Sequence, residues 1–321
     1  MKTVKRYDII CAVFKKEKLI FMYVYEKKFV EIENGETVAY IEKGNSGENI
    51  VILHGNMASG VSMLPLVDRV CHKLHCYAPD LRGYGDSSYN NEFRSLKELA
   101  NDVYLFCKAL GIKKAHVVGW STATPIALEL AVAHPELVQS IFGIEGVSHM
   151  GQRLFPRDEN GKMMEDKPYP NYEAMAADSK SYPSHNIFMA KDYDKIRMFW
   201  NKLLYVVNRP TDEEFDILII ENGKERCQNN INWAWSVENM SDTPTVYAKG
   251  DDTIKLVTCP VSLTTGEKDF VVVREKILEN HRAIKHSKLL EYPNCGHVPL
   301  VDCPDRLAND VLQHVEDAIK A

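Results

Sequence analysis

The stretch VVGWSTATPIALELA, residues 117–131, joins an apolar run to a run rich in alanine and leucine through Gly-Trp-Ser-Thr-Ala. The first run predicts a strand buried on both faces, and the second predicts a helix. A serine at such a strand-to-helix turn presents its hydroxyl at the carboxyl end of the strand, near the first backbone N–H groups of the helix. The turn is usually written G-x-S-x-G, and Ala123 stands in place of its second glycine. We expect a slightly altered turn that still presents Ser121 as a nucleophile.

Strand and helix patterns alternate on both sides of this turn. Upstream, Asn34-Gly35 lies between two alternating runs, which is typical of a β-hairpin. Further strands and helices follow at regular spacing, and they predict a mostly parallel central sheet with helices on both faces. The predicted strands cover residues 49–55, 75–80, 115–120, 138–147, 261–265 and 289–292, and the predicted helices cover 63–73, 95–110, 124–133, 273–284 and 306–320.

The alternation stops in the middle of the chain. Residues 148–250 are rich in Tyr, Trp, Asn, Met and Pro and contain no clear strand–helix–strand unit. We therefore predict a core of residues 29–147 and 251–321, with a mainly helical cap (lid) subdomain over 148–250 inserted after the sixth strand. Residues 1–28 are expected to be an N-terminal extension, since their apolar stretches are too short to span a bilayer and no signal cleavage site follows them.

Composition narrows the classes of function. The 321 residues carry a formal net charge of −6, which gives no reason to expect nucleic acid or an anionic membrane as a partner. The eight cysteines form no Cys-x-x-Cys pair, so no zinc ribbon or thioredoxin-like site is predicted. Reduced cysteines in a cytoplasmic compartment fit this usage best. The oligomeric state is left open.

A serine nucleophile needs a base, and the base needs a third group that holds its tautomer. Asp269 and His297 both follow late predicted strands, where an open α/β sheet gathers its functional residues. Their order along the chain, serine, then acid, then histidine, is the one found with this kind of turn. Among the eleven histidines, only His297 follows a glycine beyond the last strand. The acid and the histidine together distinguish Ser121 from a serine that merely caps a helix. They predict a triad of Ser121, Asp269 and His297.

Other carboxylates compete for the acid role. Glu145 directly follows residues 138–144, the apolar part of a predicted strand, and is the main rival of Asp269. Asp251 and Asp252 are weaker rivals, because they precede the relevant strand.

The loop that follows residues 49–53 reads His54-Gly55-Asn56-Met57. Such a loop can supply one backbone donor to an oxyanion, most simply the N–H of Asn56, with the N–H of Thr122 as the second donor. His54 precedes the order of the triad, so we interpret it as structural.

Five motifs together resemble the α/β-hydrolase superfamily over residues 29–321: LHGNMAS, DLRGYGDSS, VVGWSTA, TGEKD and NCGHVPL. Within it, Trp120 before the serine is similar to Bacillus-type intracellular poly(3-hydroxybutyrate) depolymerases, whose turn reads Trp-Ser-Thr-Gly-Gly. Segments of the cap resemble that group too, whereas Ala123-Thr124 departs from its paired glycines. The resemblance implies the same triad.

These residues predict a serine hydrolase that cleaves carboxylic esters through an acyl-enzyme, without a metal or an organic cofactor. The expected substrate is a small-molecule ester, such as a short hydroxyalkanoate ester or oligomer. Lactonase, carbon–carbon hydrolase and cofactor-free haloperoxidase chemistry use the same triad, and a non-enzymatic ligand-binding protein of this fold is the remaining alternative. The candidate substrate-binding residues are Trp120, Met57, Tyr205, Trp233 and Trp235.

Overall fold

A computed structural model describes residues 25–178 and 180–320, so most of the expected N-terminal extension, residues 1–24, lies outside the described part. Within that part, eight strands form one sheet in the order β1-β2-β4-β3-β5-β6-β7-β8. β2 runs antiparallel to β1 and β4, and the other neighbours are parallel, which confirms the predicted sheet. The strands are β1 (Lys27–Glu31), β2 (Thr37–Lys43), β3 (Asn49–Leu53), β4 (His75–Pro79), β5 (Ala115–Trp120), β6 (Val138–Ile144), β7 (Val261–Gly266) and β8 (Lys288–Tyr292).

β1 and β2 form the hairpin that Asn34-Gly35 predicts, with Lys27 opposite Ile41. Gly35 has a φ of +85°, a left-handed conformation that glycine adopts without a steric penalty. The turn therefore sets the register of this edge of the sheet.

Helices cover both faces of the sheet. They are α1 (Leu64–Val70), α2 (Leu96–Leu110), α3 (Ala123–Ala133), α9 (Arg274–Ala283), α10 (Pro299–Asp302) and α11 (Pro304–Lys320), with 3₁₀ turns at Gly60–Met63 and Thr253–Leu256. α2 shows how local the signals are: Ser95 and Glu98 form a capping box at its start, and Gly111 ends it with a φ of +73°. Its predicted bounds are confirmed to within one residue.

β5 lies at the centre of the sheet, and each of its residues is buried. Successive side chains of a strand point to opposite faces. Val117 accordingly belongs to the apolar core on one face, and Val118 to the core on the other. This double burial explains the uninterrupted apolar run and fixes the point from which Ser121 emerges.

Five helices lie between β6 and β7 in the described residues, and we call this helical insertion the cap. They are α4 (Tyr172–Ala177), α5 (Pro183–Met189), α6 (Tyr193–Leu203), α7 (Asp212–Asn222) and α8 (Gln228–Val237). The insertion follows the sixth strand, as predicted.

Lys27 connects the edge of the sheet to the cap. It falls within the extension expected over residues 1–28, yet it is buried in β1, and its ammonium donates hydrogen bonds to Asp80 (2.9 Å), Asp86 (2.7 Å) and Glu221 (2.6 Å). Burial alone would lower the pKa of Lys27, but the three carboxylates raise it above its usual value. The lysine therefore stays charged, and it ties α7 to the core.

Candidate active site

Ser121 occupies a strained turn between β5 and α3. Its φ of +54° lies in the left-handed region, which non-glycine residues adopt only when the surrounding structure imposes it. The constraint is visible in the backbone: the Ser121 N–H donates to the Ile144 carbonyl (2.8 Å), and the Ser121 carbonyl accepts from the N–H groups of Thr124 (3.1 Å) and Val147 (3.2 Å). These bonds hold the serine at the carboxyl end of the sheet, with 8% of its surface exposed.

The alanine and threonine that follow the turn are accommodated by glycines elsewhere. A Cβ at Gly119 would lie 2.5 Å from the Ala123 carbonyl oxygen. The close approach of β5 to the start of α3 therefore requires glycine at position 119. The Thr124 side chain donates to the Gly119 carbonyl (2.9 Å) and packs against Gly143 and Gly146. Threonine fits at position 124 because Gly143 on β6 and Gly146 after β6 have no side chains.

Asp269 and His297 form a buried pair after β7 and β8. The Asp269 Oδ2 lies 2.8 Å from the His297 Nδ1, and the exposed fractions of the two side chains are 1% and 3%. The Asp269 Oδ1 accepts from the N–H groups of Val271 (2.8 Å) and Val272 (2.9 Å), which fixes the carboxylate. Because an ionised carboxylate only accepts hydrogen bonds, the His297 Nδ1 carries the proton and the Nε2 keeps its lone pair.

The residue before the serine connects the two halves of the site. The Trp120 indole N–H donates to the His297 carbonyl oxygen (2.9 Å), and the two ring centroids are 5.8 Å apart. The Ser121 hydroxyl forms no hydrogen bond with any described residue, His297 included. In unliganded enzymes such a bond is often long and shortens when a substrate binds.

The loop after β3 lies directly against the serine. A Cβ at Gly55 would be 3.1 Å from the Ser121 Cβ, so the backbones approach closely. The Tyr84 hydroxyl donates to the Asn56 side-chain oxygen (2.7 Å) and holds the loop in position. Neither the Asn56 nor the Thr122 backbone N–H donates to an acceptor among the described residues. Both donors are therefore available to an oxyanion beside Ser121.

A family model described as the alpha/beta hydrolase fold matches residues 48–304. The chain belongs to the α/β-hydrolase fold family.

Similarity to other proteins extends over most of this α/β hydrolase. Lipase 1 of Psychrobacter immobilis is 21% identical over 289 residues, which are 89% of this chain and 82% of that protein. Lipase 3 of Moraxella sp. (strain TA144) is 22% identical over 291 residues, 89% of this chain and 83% of that protein. The crystallised esterase from Exiguobacterium antarcticum superposes with a TM-score of 0.68 at 17% identity, and the match covers 90% of this chain and 98% of that one.

Glu145, the rival acid of the α/β-hydrolase site, lies behind Asp269. It is fully buried, has a φ of +46°, and accepts hydrogen bonds from the Thr264 hydroxyl (2.9 Å) and the Gly266 N–H (2.7 Å). Burial raises the pKa of Glu145 well above its usual range, and the neighbouring Asp269 carboxylate raises it further. Glu145 is held by Thr264 and Gly266, and Asp269 is the acid that bonds to His297.

The weaker rivals lie at the surface. The Asp251 carboxylate accepts from Lys97 (2.5 Å), and Asp252 pairs with Lys255. Side-chain exposures of 38% and 40% place both aspartates in solvent, where they pair with lysines and not with a histidine.

His54 is completely buried at the start of the loop after β3. Its Nε2 accepts from the Leu81 N–H (3.0 Å), so its Nδ1 carries the proton and donates to the Gly55 carbonyl (2.7 Å). Burial lowers the pKa of His54. Both ring nitrogens of His54 thus bond to the backbone, which agrees with the structural interpretation.

The candidate substrate-binding residues separate into three places. Trp120 and Tyr205 line a cavity of about 390 Å³ that also reaches Val298, next to His297. Met57 and Trp235 line a different cavity of about 510 Å³, which we call the Met57 cavity. Trp233 lines neither of these two cavities; its ring contacts Tyr172 and Tyr247 within the cap.

Sequence reasoning missed two residues near the site. Tyr84 lies in the DLRGYGDSS motif, but its bond to Asn56 joins two loops and has no local signal. Arg153 lines the Met57 cavity from an irregular part of the cap that carries no motif.

Two kinds of feature are absent from residues 25–178 and 180–320. No helix there is both long and apolar enough to cross a membrane. No cluster of three or more His, Cys, Asp or Glu side chains there is placed to hold a metal ion. The cysteines of that part of the chain are free thiols, and Cys11 lies outside it.

Proposed function

We propose that this α/β hydrolase cleaves carboxylic esters through an acyl-enzyme formed on Ser121. His297 Nε2 takes the proton of the Ser121 hydroxyl, the oxygen attacks the ester carbonyl, and Asp269 stabilises the imidazolium that forms. Collapse of the tetrahedral intermediate breaks the bond to the alcohol, which leaves with the proton from His297.

The backbone N–H groups of Asn56 and Thr122 would stabilise the oxyanion in both halves of the reaction. One such donor is typically worth about 2.7–4 kcal/mol of barrier lowering. In the second half, water gives its proton to His297 and attacks the acyl carbon, and the acid leaves as Ser121 regains its proton.

One observation carries the proposal: the buried Asp269–His297 pair, joined through Trp120 to the strained turn that presents Ser121. A histidine whose tautomer is held by a carboxylate is what a serine nucleophile needs as its base. The similarity to two lipases and an esterase supports ester chemistry.

For the substrate, we propose short hydroxyalkanoate esters or their oligomers. The turn Trp120-Ser121-Thr122 and the cap segments resemble the intracellular depolymerases of such polymers. The aromatic side chains of Trp120 and Tyr205 can pack against a short acyl chain in the cavity that they line.

A panel of 4-nitrophenyl esters of increasing acyl length, together with 3-hydroxybutyrate oligomers, tests the proposal on wild-type protein and Ser121→Ala. A fluorophosphonate probe provides a second readout, since it labels an activated serine. We expect hydrolysis and labelling by the wild type, and neither by the variant.

Two outcomes would contradict the proposal. A folded wild-type protein that is neither labelled nor active would point to a non-enzymatic binding protein. Equal labelling of Ser121→Ala would place the nucleophile elsewhere. Activity on 4-nitrophenyl esters but not on 3-hydroxybutyrate oligomers would contradict only the proposal that hydroxyalkanoate esters are the substrate.

A further inference from the structure

Arg153 is a partly exposed cation without a partner among residues 25–178 and 180–320. Its guanidinium forms no hydrogen bond or ion pair with any residue of the described chain. Two nearby cations differ in this respect: Arg157 donates to the Gly161 carbonyl (2.7 Å), and Lys276 pairs with Glu279 (2.7 Å). An arginine offers five donors in a planar fork that fits a carboxylate.

Arg153 faces the Met57 cavity, which adjoins the proposed oxyanion loop. Met57 follows Asn56 directly and lines the cavity from the core side. Arg153 lines it from the irregular start of the cap, and Trp235 lines it from α8. A volume of about 510 Å³ suits a small organic group.

The charges around this cavity favour an anion. Arg153, Arg157 and Lys276 line it, against the single carboxylate of Glu165. This local excess of positive charge occurs in a chain whose net charge is −6. Because Lys276 and Arg157 already have partners, Arg153 is the cation left to bind a ligand.

We propose that the Met57 cavity holds a free carboxylate of the ester substrate and that Arg153 binds it, so that the enzyme selects esters that also carry an acid group. The inference rests on the proposed function and narrows its substrate class. A linear hydroxyalkanoate oligomer has such a group at one end.

The test compares each acid with the same molecule after its charge is removed. Mono-4-nitrophenyl glutarate and its methyl-capped form differ in the acyl part, and the 3-hydroxybutyrate dimer and its methyl ester differ in the alcohol part. The measured quantity is the ratio of kcat/KM for the free acid to that for the capped form.

We expect this ratio to exceed one for the wild type in at least one pair. In Arg153→Gln it should fall by about tenfold or more, mainly through KM, since hydrogen bonds to charged groups are the stronger ones. Arg153→Lys should restore part of the ratio. Arg197→Gln is the matched control, since this cap arginine pairs with Asp216 away from the cavity. A ratio unchanged in Arg153→Gln, or lowered equally in Arg197→Gln, would overturn the inference and leave Arg153 as a solvated cation.

A binding measurement separates this inference from the proposed function. Calorimetric titration of Ser121→Ala with the 3-hydroxybutyrate dimer needs no turnover. Binding that weakens about tenfold on adding Arg153→Gln supports the carboxylate site even if no ester is hydrolysed. If the wild type hydrolyses esters and Ser121→Ala binds the dimer and its methyl ester equally well, the ester hydrolase stands and the carboxylate site is rejected.

Discussion

Replacing Asp269 with Asn should disable the base by changing its tautomer. The N–H groups of Val271 and Val272 both point at the Asp269 Oδ1. In Asp269→Asn the amide oxygen keeps these two donors, so the amide NH₂ must face the His297 Nδ1. The opposite orientation places the NH₂ against two N–H groups and loses two hydrogen bonds, each worth about 0.5–1.5 kcal/mol.

The NH₂ then donates to the His297 Nδ1, and the imidazole proton moves to Nε2, where the base needs a lone pair. We expect kcat to fall by about 10⁴-fold, which corresponds to about 5.5 kcal/mol of activation free energy. The assay is steady-state hydrolysis of 4-nitrophenyl butyrate, with thermal unfolding to show that the variant folds. Asp251→Asn is the matched control and should leave kcat unchanged, because Asp251 is exposed and pairs with Lys97.

A folded Asp269→Asn variant that keeps more than about one hundredth of the wild-type kcat would refute this reasoning. An equal loss in Asp251→Asn would do so as well. Either result would mean that the two backbone donors do not fix the amide, or that His297 does not act through Asp269.

Three further predictions concern the surroundings of the site. Glu145→Gln keeps the shape of the side chain and should retain kcat within about tenfold. Because burial raises the folded-state pKa of Glu145 above its ordinary 4.5, the wild type loses stability as the pH rises above 4.5 and the variant does not. In urea unfolding from pH 5 upward, the unfolding free energy of the variant should therefore rise relative to that of the wild type. Gly55→Ala puts a methyl 3.1 Å from the Ser121 Cβ and should lower kcat by about tenfold, and an unchanged kcat would contradict the close approach. Burial lowers the pKa of His314 to about 4, so the protein loses stability as the pH falls from 6.5. Between pH 7 and pH 4.5 in urea unfolding, the unfolding free energy of His314→Gln should rise by about 2–3 kcal/mol relative to that of the wild type. Parallel pH profiles would argue against a buried neutral imidazole.

Much of the fold is predictable because its signals are local. The uninterrupted apolar run of β5, the capping box at Ser95 and the left-handed Gly111 each follow from neighbouring residues alone. Placing Asp269 and His297 needed only one more rule, that functional residues follow the carboxyl ends of parallel strands.

The rest depends on contacts between distant residues. Glu145 and Asp269 follow adjacent strands, and only the packed sheet shows that Glu145 is fully buried against Thr264 and Gly266 while Asp269 reaches His297. The sequence does not predict a buried position for Lys27, because a buried lysine needs charged partners and these lie as far along the chain as Glu221.

The packing of Thr124 against Gly146 constrains the order in which this chain can vary. A Cβ at Gly146 would lie 2.6 Å from the Thr124 Cβ, so no side chain is tolerated at 146 while threonine occupies 124. Once position 124 becomes glycine, the same methyl at 146 fills space that would otherwise be empty. The two positions are therefore epistatic: Gly146→Ala is damaging alone and neutral or favourable after Thr124→Gly, so a library that randomises one position at a time will miss the combination.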